Sequence, residues 1–370
     1  MTTIRGGQVL TDSGLINPDV YLGSGLITDS PEDDEVVDAS GLIVAPGLID
    51  IQINGAFGHD FTQDPTTIWE VGSRLPELGV TSFVPTVVTS PGEVTDLALD
   101  VVANRRPADY RGAEVVGLHC EGPWISPEMH GAHNAAHIVD PDLDTAVRWA
   151  ESGLVRIVTL APERPGAEAV IQALTRRGVV ISLGHTGADY ETARAAYENG
   201  ATLATHLFNQ MTPLAHREPG MVGAALLHAS HCLLIVDGIH VAEGALEVAW
   251  RVLGTERTIL VTDAMAALGL GPGTYPLGDG PITVGPDGPR TTDGRLAGSA
   301  ISLPEAIANL ASMTSAQPHE ALRCATLNPA RALGLTDRGV VKPGLRADLT
   351  LLDDSLNLVA TYVAGERAHG

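Results

Sequence analysis

The chain has 370 residues, 44% hydrophobic and 18% charged, which suits a globular enzyme with one large core and room for a small second unit. A formal net charge of -23 and only 4% aromatic residues weigh against a nucleic-acid or anionic membrane partner, because such a chain repels phosphate at long range and lacks stacking surfaces. No run approaches the roughly 20 apolar residues of a membrane span, and the opening MTTIRGGQVL reads as a strand rather than a leader.

Nearly all the positive charge is arginine, with Lys342 the only lysine, and no function is drawn from that bias. Cys120, Cys232 and Cys324 are far apart and form no CxxC pair, so buried thiols in a reducing cytoplasm are expected.

Residues 1–45 read as short strands (Thr2–Val9, Asp19–Leu22, Leu26–Asp29) punctuated by Gly, Asn and Pro, with an acidic turn at Pro31–Glu35. Strand–helix alternation then begins. Eight β-prone runs follow: Leu48–Ile53, Val80–Val87, Val115–His119, Val155–Leu160, Val179–Leu183, Ala201–Thr205, Leu233–Val236 and Thr258–Thr262. Helical patterns between them include Thr66–Leu78, Pro91–Arg105, Asp142–Glu151, Ala167–Arg177, Tyr190–Asn199 and Ala242–Leu253. Eight alternations with short connections predict an α/β fold of the (β/α)8 TIM-barrel type, with a doubly wound open sheet as the alternative. A Gly/Pro-rich segment at Gly269–Pro289 reads as a hairpin or lid, and helices are predicted at Leu303–Ser315 and Pro318–Leu333. The end of the chain returns to alternating strands. Residues 1–45 and 339–370 are therefore expected to form one small β-sandwich domain beside a barrel over 46–338.

Chemistry-bearing residues cluster at the C-terminal ends of these strands, where barrel active sites form. Glu121 follows strand three, His185 and His206 end strands five and six, and Asp263 ends strand eight. Any one of them alone is more often a cap or a satisfied core group. Together, Glu121, His185 and His206 make a three-ligand metal site with a position left for water. The donor set fits Zn²⁺ and does not separate it from iron, cobalt or manganese. His130, His133 and His137 lie in the loop after strand three, and His240 lies just past strand seven, facing the barrel mouth. Arg217, with Asn209 and Gln210, is a candidate anion site, and Asp237 a candidate cap. His59, His119 and His216 read as structural or surface residues. Neither glycine-rich stretch has the lysine of a P-loop, and GHTGAD is no nucleophile elbow.

The ordered motifs APGLIDIQING, HCEGPW, GAHN, LGHTGAD, ATHLFNQM, REPGMVG, VDGIHV, VTDAM and LAGSA resemble those of the N-acetylglucosamine-6-phosphate deacetylases, a family of the amidohydrolase superfamily. The resemblance spans essentially the whole chain. It implies that Glu121, His185 and His206 hold one divalent metal ion per subunit and that Asp263 is the general acid/base. It further implies that His133 polarises the acetyl carbonyl and that Asn209, Gln210, Arg217 and His240 contact the substrate. The arginine at the position of Arg217 reaches a neighbouring site in this family, so a homodimer is implied. Many superfamily members carry His-x-His at the end of strand one; here Gln52 and Asn54 stand there, poor ligands beside imidazole, which favours one metal. The competing readings are a sibling amidohydrolase acting on another N-acyl or cyclic amide, and a catalytically silent barrel used for binding.

Overall fold

The apolar β-prone runs close into a parallel barrel. In the computed structural model, which describes residues 2–11, 14–30 and 35–370, barrel strands one to eight are Leu48–Ile53, Val80–Val88, Leu118–Glu121, Val155–Leu160, Val180–Leu183, Leu203–Ala204, His231–Leu234 and Thr258–Leu260. Neighbours pair in parallel from one through eight. The seam between eight and one is closed by a parallel bridge, Ile53 to Ala264, and by Asp263 N–H donating to the Gln52 carbonyl at 2.8 Å. Ile49, Ile51, Val84, Ile157, Leu203, Leu233 and Ile259 fill the barrel interior, and Ala330 and Leu333 pack against the same cluster.

Both ends of the chain build the second unit. One sheet runs in the order 26–28, 20–23, 2–5, 35–38; the other runs 366–369, 358–363, 349–352, 43–46, 8–11, 14–16. Leu349–Leu352 pairs antiparallel with Ile43–Pro46, which joins the two termini. Ile4, Val9, Leu22, Val44, Leu351 and Tyr362 make the core between the sheets. The expected single strand Thr2–Val9 is two strands, broken at Gly6, whose φ of +82° is left-handed. Residues 31–34 of the acidic turn lie outside the described residues.

Two expected helices are interrupted at proline, and for one reason. Thr66–Leu78 is a 3₁₀ turn, a helix over Ile68–Arg74 and a second 3₁₀ turn with Pro76 near its start. Pro318–Leu333 is two helices, Pro318–Cys324 and Leu327–Ala332, with Pro329 in the second. Proline cannot donate to the carbonyl four residues earlier. Both freed carbonyls are taken by distant backbone: Gly72 accepts from Ala113 N–H and Ala325 from Ile49 N–H, each at 2.9 Å. A helix absent from the sequence reading, Gly220–His228, is buried almost all round and so shows no amphipathic stripe. The Gly269–Pro289 segment is largely a three-stranded meander, 273–277, 280–285 and 288–290.

Asp50 is fully buried on the seam of the barrel, where its Oδ2 accepts the Thr262 hydroxyl at 2.5 Å. Burial pushes its carboxyl up to about 7 from an ordinary 3.8. The folded chain thus holds this proton more tightly than the unfolded chain. The stabilisation is complete below about pH 4 and is lost as the pH rises through about 7, on the order of 4 kcal/mol in all. Asp50→Asn is expected to flatten the fall in melting temperature between about pH 4 and 7. Parallel calorimetric curves for the two proteins would refute this origin.

Candidate active site

The strand tips bring the expected donors together. Glu121 Oε1 lies 3.2 Å from His185 Nε2 and 3.1 Å from His206 Nε2, and the two Nε2 atoms are 3.0 Å apart. All three side chains are buried. The backbone of His185 (φ +48°), His206 (φ +30°) and Asp263 (φ +47°) is left-handed. For non-glycine residues this costs on the order of 1 kcal/mol each. It is tolerated where each chain turns off its strand and swings the side chain over the barrel mouth.

The donor chemistry fits a divalent cation. His185 Nδ1 sits 2.9 Å from the Met129 carbonyl, which can only accept, so Nδ1 carries the proton and Nε2 a lone pair. That lone pair faces the Glu121 carboxylate oxygen and His206 Nε2, which has at most one proton to offer the other two. A cation satisfies all of them. Tetrahedral Zn²⁺ with bonds of about 2.1 Å requires donor separations of roughly 3.4 Å, a few tenths of an ångström beyond those seen. Hydrogen bonding and charge from His185 and His206 hold the Glu121 carboxyl well below its usual range although burial opposes them.

Asp263 stands beside this set without belonging to it. Its Oδ1 accepts Nδ2–H of Asn54 at 2.8 Å and Nε2–H of Gln52 at 3.2 Å. Gln52 Nε2–H also reaches Glu121 Oε1 at 3.3 Å, so one amide spans both carboxylates. Burial, with the charge of Glu121 next, pushes the Asp263 carboxyl up to about 6.

His133 is buried with its ring centroid 4.3 Å from that of His185. The Thr89 backbone N–H donates to its Nδ1 at 3.3 Å, which leaves the ring proton on Nε2. Burial, then the charge of His185, pushes its pKa down to about 3, so it is a neutral donor. His240 Nδ1–H donates to Asp237 Oδ2 at 2.7 Å, and Asp237 Oδ1 accepts the backbone N–H of Ile239 and of His240 itself.

Glu121, His133, His185, His206, Asn209, Gln210, His240 and Asp263 all line one cavity at the barrel mouth. Leu277 from the meander and Leu296–Gly298 after it form part of the wall. Arg217 is elsewhere: it is exposed and lines a separate surface cavity with Asp189, Tyr190 and Glu191. The residue reading allowed for Gln52 and Asn54 bonding to Asp263, as they do, but it did not find the reach of Gln52 to Glu121, the Thr89 contact that sets the His133 tautomer, or the Asp237 contact that orients His240. Only the last had a local signal, an Asp three residues before a His. His119 is structural, as expected, but lies inside the barrel.

Residues 43–368 match the amidohydrolase family. The N-acetylglucosamine-6-phosphate deacetylase of Homo sapiens is 40% identical, over 98% of this chain and 93% of that one. Among solved structures, the N-acetylglucosamine-6-phosphate deacetylase from Pasteurella multocida superimposes with a TM-score of 0.94 at 29% identity, covering 100% of both chains. A mutant of the Mycobacterium smegmatis deacetylase, solved in complex with N-acetyl-D-glucosamine-6-phosphate, superimposes with a TM-score of 0.91 at 34% identity, covering 100% of this chain and 99% of that one. With its barrel, its buried Glu/His/His set and these full-length likenesses, the chain belongs to the amidohydrolase family and, within it, to the N-acetylglucosamine-6-phosphate deacetylases.

Proposed function

We propose that this chain hydrolyses the acetamide of N-acetyl-D-glucosamine 6-phosphate to D-glucosamine 6-phosphate and acetate, in amino-sugar catabolism or cell-wall recycling. The observation that carries the reading is the placement of Asp263 beside the three-donor set with the His133 N–H in the same cavity. One divalent ion, Zn²⁺ first and Fe, Co or Mn by the same donor chemistry, would be held by Glu121, His185 and His206; when bound, such an ion lowers the pKa of a water toward neutral and polarises a carbonyl.

The rest falls to side chains. Asp263 takes a proton as water adds to the acetyl carbon. His133 donates its Nε2–H to the oxygen on which negative charge develops. Asp263 then delivers the proton to the sugar nitrogen as the C–N bond breaks, so one water is consumed per acetate released. Gln52 and Asn54 hold Asp263 in line for both transfers. Asn209, Gln210 and His240 are assigned to the substrate, whose remote phosphate supplies binding energy that orients the amide.

The cavity wall contains no Arg or Lys among the described residues, though a phosphate dianion needs a countercharge. We assign that role to Arg217 of a second copy in a homodimer. The neighbouring Leu214, 53% exposed, supports a contact surface there. Arg217→Ala is expected to raise KM for the sugar phosphate by about tenfold or more with a smaller change in kcat, on the scale of a lost charge-assisted hydrogen bond. An unchanged KM would favour a sibling amidohydrolase with a phosphate-free substrate.

We also read residues 46–338 as the catalytic barrel domain and 1–45 with 339–370 as its β-sandwich companion. The three buried free cysteines support a reducing, cytoplasmic setting. The deciding experiment is to incubate the purified protein, supplied with Zn²⁺, Fe²⁺ or Co²⁺, with N-acetylglucosamine 6-phosphate and to measure acetate. No release with any of these ions rejects the proposal.

A further inference from the structure

The barrel interior is layered. Val84, Ile157 and Leu203 belong to the aliphatic floor. Two residues further along the same strands, on the same face, stand Thr86, Thr159 and Thr205, all fully buried. Fully buried His119 and Ser182 complete this storey. Branched aliphatic side chains ordinarily fill such a layer.

Here the layer is a hydrogen-bonded ladder instead. His119 Nε2 meets Thr159 Oγ1 at 2.7 Å, Thr159 Oγ1 meets Thr205 Oγ1 at 2.7 Å, and Thr205 Oγ1 meets Ser182 Oγ at 2.5 Å. Thr86 Oγ1 lies 3.4 Å from the other ring nitrogen of His119. Each hydroxyl has one proton to donate and lone pairs to accept with, so the run from His119 to Ser182 can be hydrogen-bonded throughout.

Its members stand beside the metal-site donors in the chain: His119 two residues before Glu121, Ser182 three before His185, Thr205 one before His206. Thr159 also accepts the Gly122 N–H through its carbonyl at 3.0 Å. Gly184, next to His185, has no room for a side chain, because a Cβ there would lie 2.7 Å from Thr205 Cβ. Strands three, five and six are thus cross-linked directly beneath the three donors.

We propose that this buried ladder, with Thr205 at its hub, is a positioning element for the donor set. It sets the relative height of the three strands, so that Glu121, His185 and His206 converge before any ion arrives. The inference rests on reading those three residues as metal ligands. Loss of an outer contact that orients a ligand typically lowers metal affinity by about 10–100-fold.

The test is Zn²⁺ affinity by chelator competition, together with the visible spectrum of the Co²⁺-loaded protein. Thr205→Val keeps the volume and removes the hub hydroxyl. It is expected to weaken Zn²⁺ binding by at least about tenfold and to shift the Co²⁺ bands. Thr205→Ser restores the hydroxyl and should stay within about threefold of native affinity, well below the about 10–100-fold loss of an outer contact. Ile157→Val loosens the floor of the same barrel; it should lower the melting temperature of the metal-free protein and leave affinity and spectrum unchanged.

Native affinity and spectrum in Thr205→Val, or equal weakening in Ile157→Val, overturns the proposal. Should Thr205→Val fail to fold, Ser182→Ala is judged by the same criteria. A native protein that binds neither ion refutes the ligand reading beneath it, whereas normal native binding with an unaffected variant refutes the ladder alone.

Discussion

Asp263→Asn is expected to retain its metal and to lose at least about 10²-fold in turnover, the scale of a general acid–base group. The substitution is nearly isosteric, and an amide oxygen can still accept from Asn54 and Gln52 where Oδ1 does now. The Glu121, His185 and His206 atoms that face one another are not touched. What disappears is a site that can take a proton and return it. Single-turnover acetate release and metal content, measured on the same sample, separate the two effects; turnover near the native rate removes Asp263 from its role.

The pH profile provides a second handle on the same group. A base must be ionised, so activity falls as the pH drops through its pKa. Burial and Glu121 push that value up to about 6, and a bound cation pulls it down. The acid limb of kcat/KM should therefore have an apparent pKa no higher than about 6.

Removing the metal is expected to abolish turnover and lower stability together. Without a cation, the His185 lone pair and the Glu121 carboxylate face each other at 3.2 Å in a buried site. An ion that binds only the folded chain contributes about 4 kcal/mol when its free concentration is a thousand times its Kd. Chelator-treated protein should melt several degrees lower, and Zn²⁺ or Co²⁺ should restore both melting temperature and acetate release. Unchanged melting and turnover after verified metal removal would show that the three donors form only a structural hydrogen-bond cluster.

Much of the architecture was legible in the residues. Val155–Leu160 and Leu48–Ile53 were readable to the residue because apolar runs bounded by turns leave little choice of state. Strand six was read as five residues and pairs over only two, because the chain turns early to present His206. Gly220–His228 was missed because a helix buried on nearly every side has lost its periodicity. The proline-broken helices were read through because the partners of the freed carbonyls, Ala113 and Ile49, are distant in the chain.

By itself the sequence determined the eightfold strand–helix alternation and the identity of the groups at the strand ends, since both follow from local period and from which residue succeeds each strand; closure into a barrel rather than an open sheet was left to the fold. The tertiary structure alone decided how those groups act on one another. Gln52 bonds to Glu121 across 69 positions and to Asp263 across 211. Thr89 sets the proton of His133 across 44, and Thr205 meets Thr159 across 46. Such contacts depend on the register of the closed barrel, which is a property of all eight strands together and is written in no single stretch. For the same reason only the fold could place Arg217 outside the cavity that the other candidate residues line.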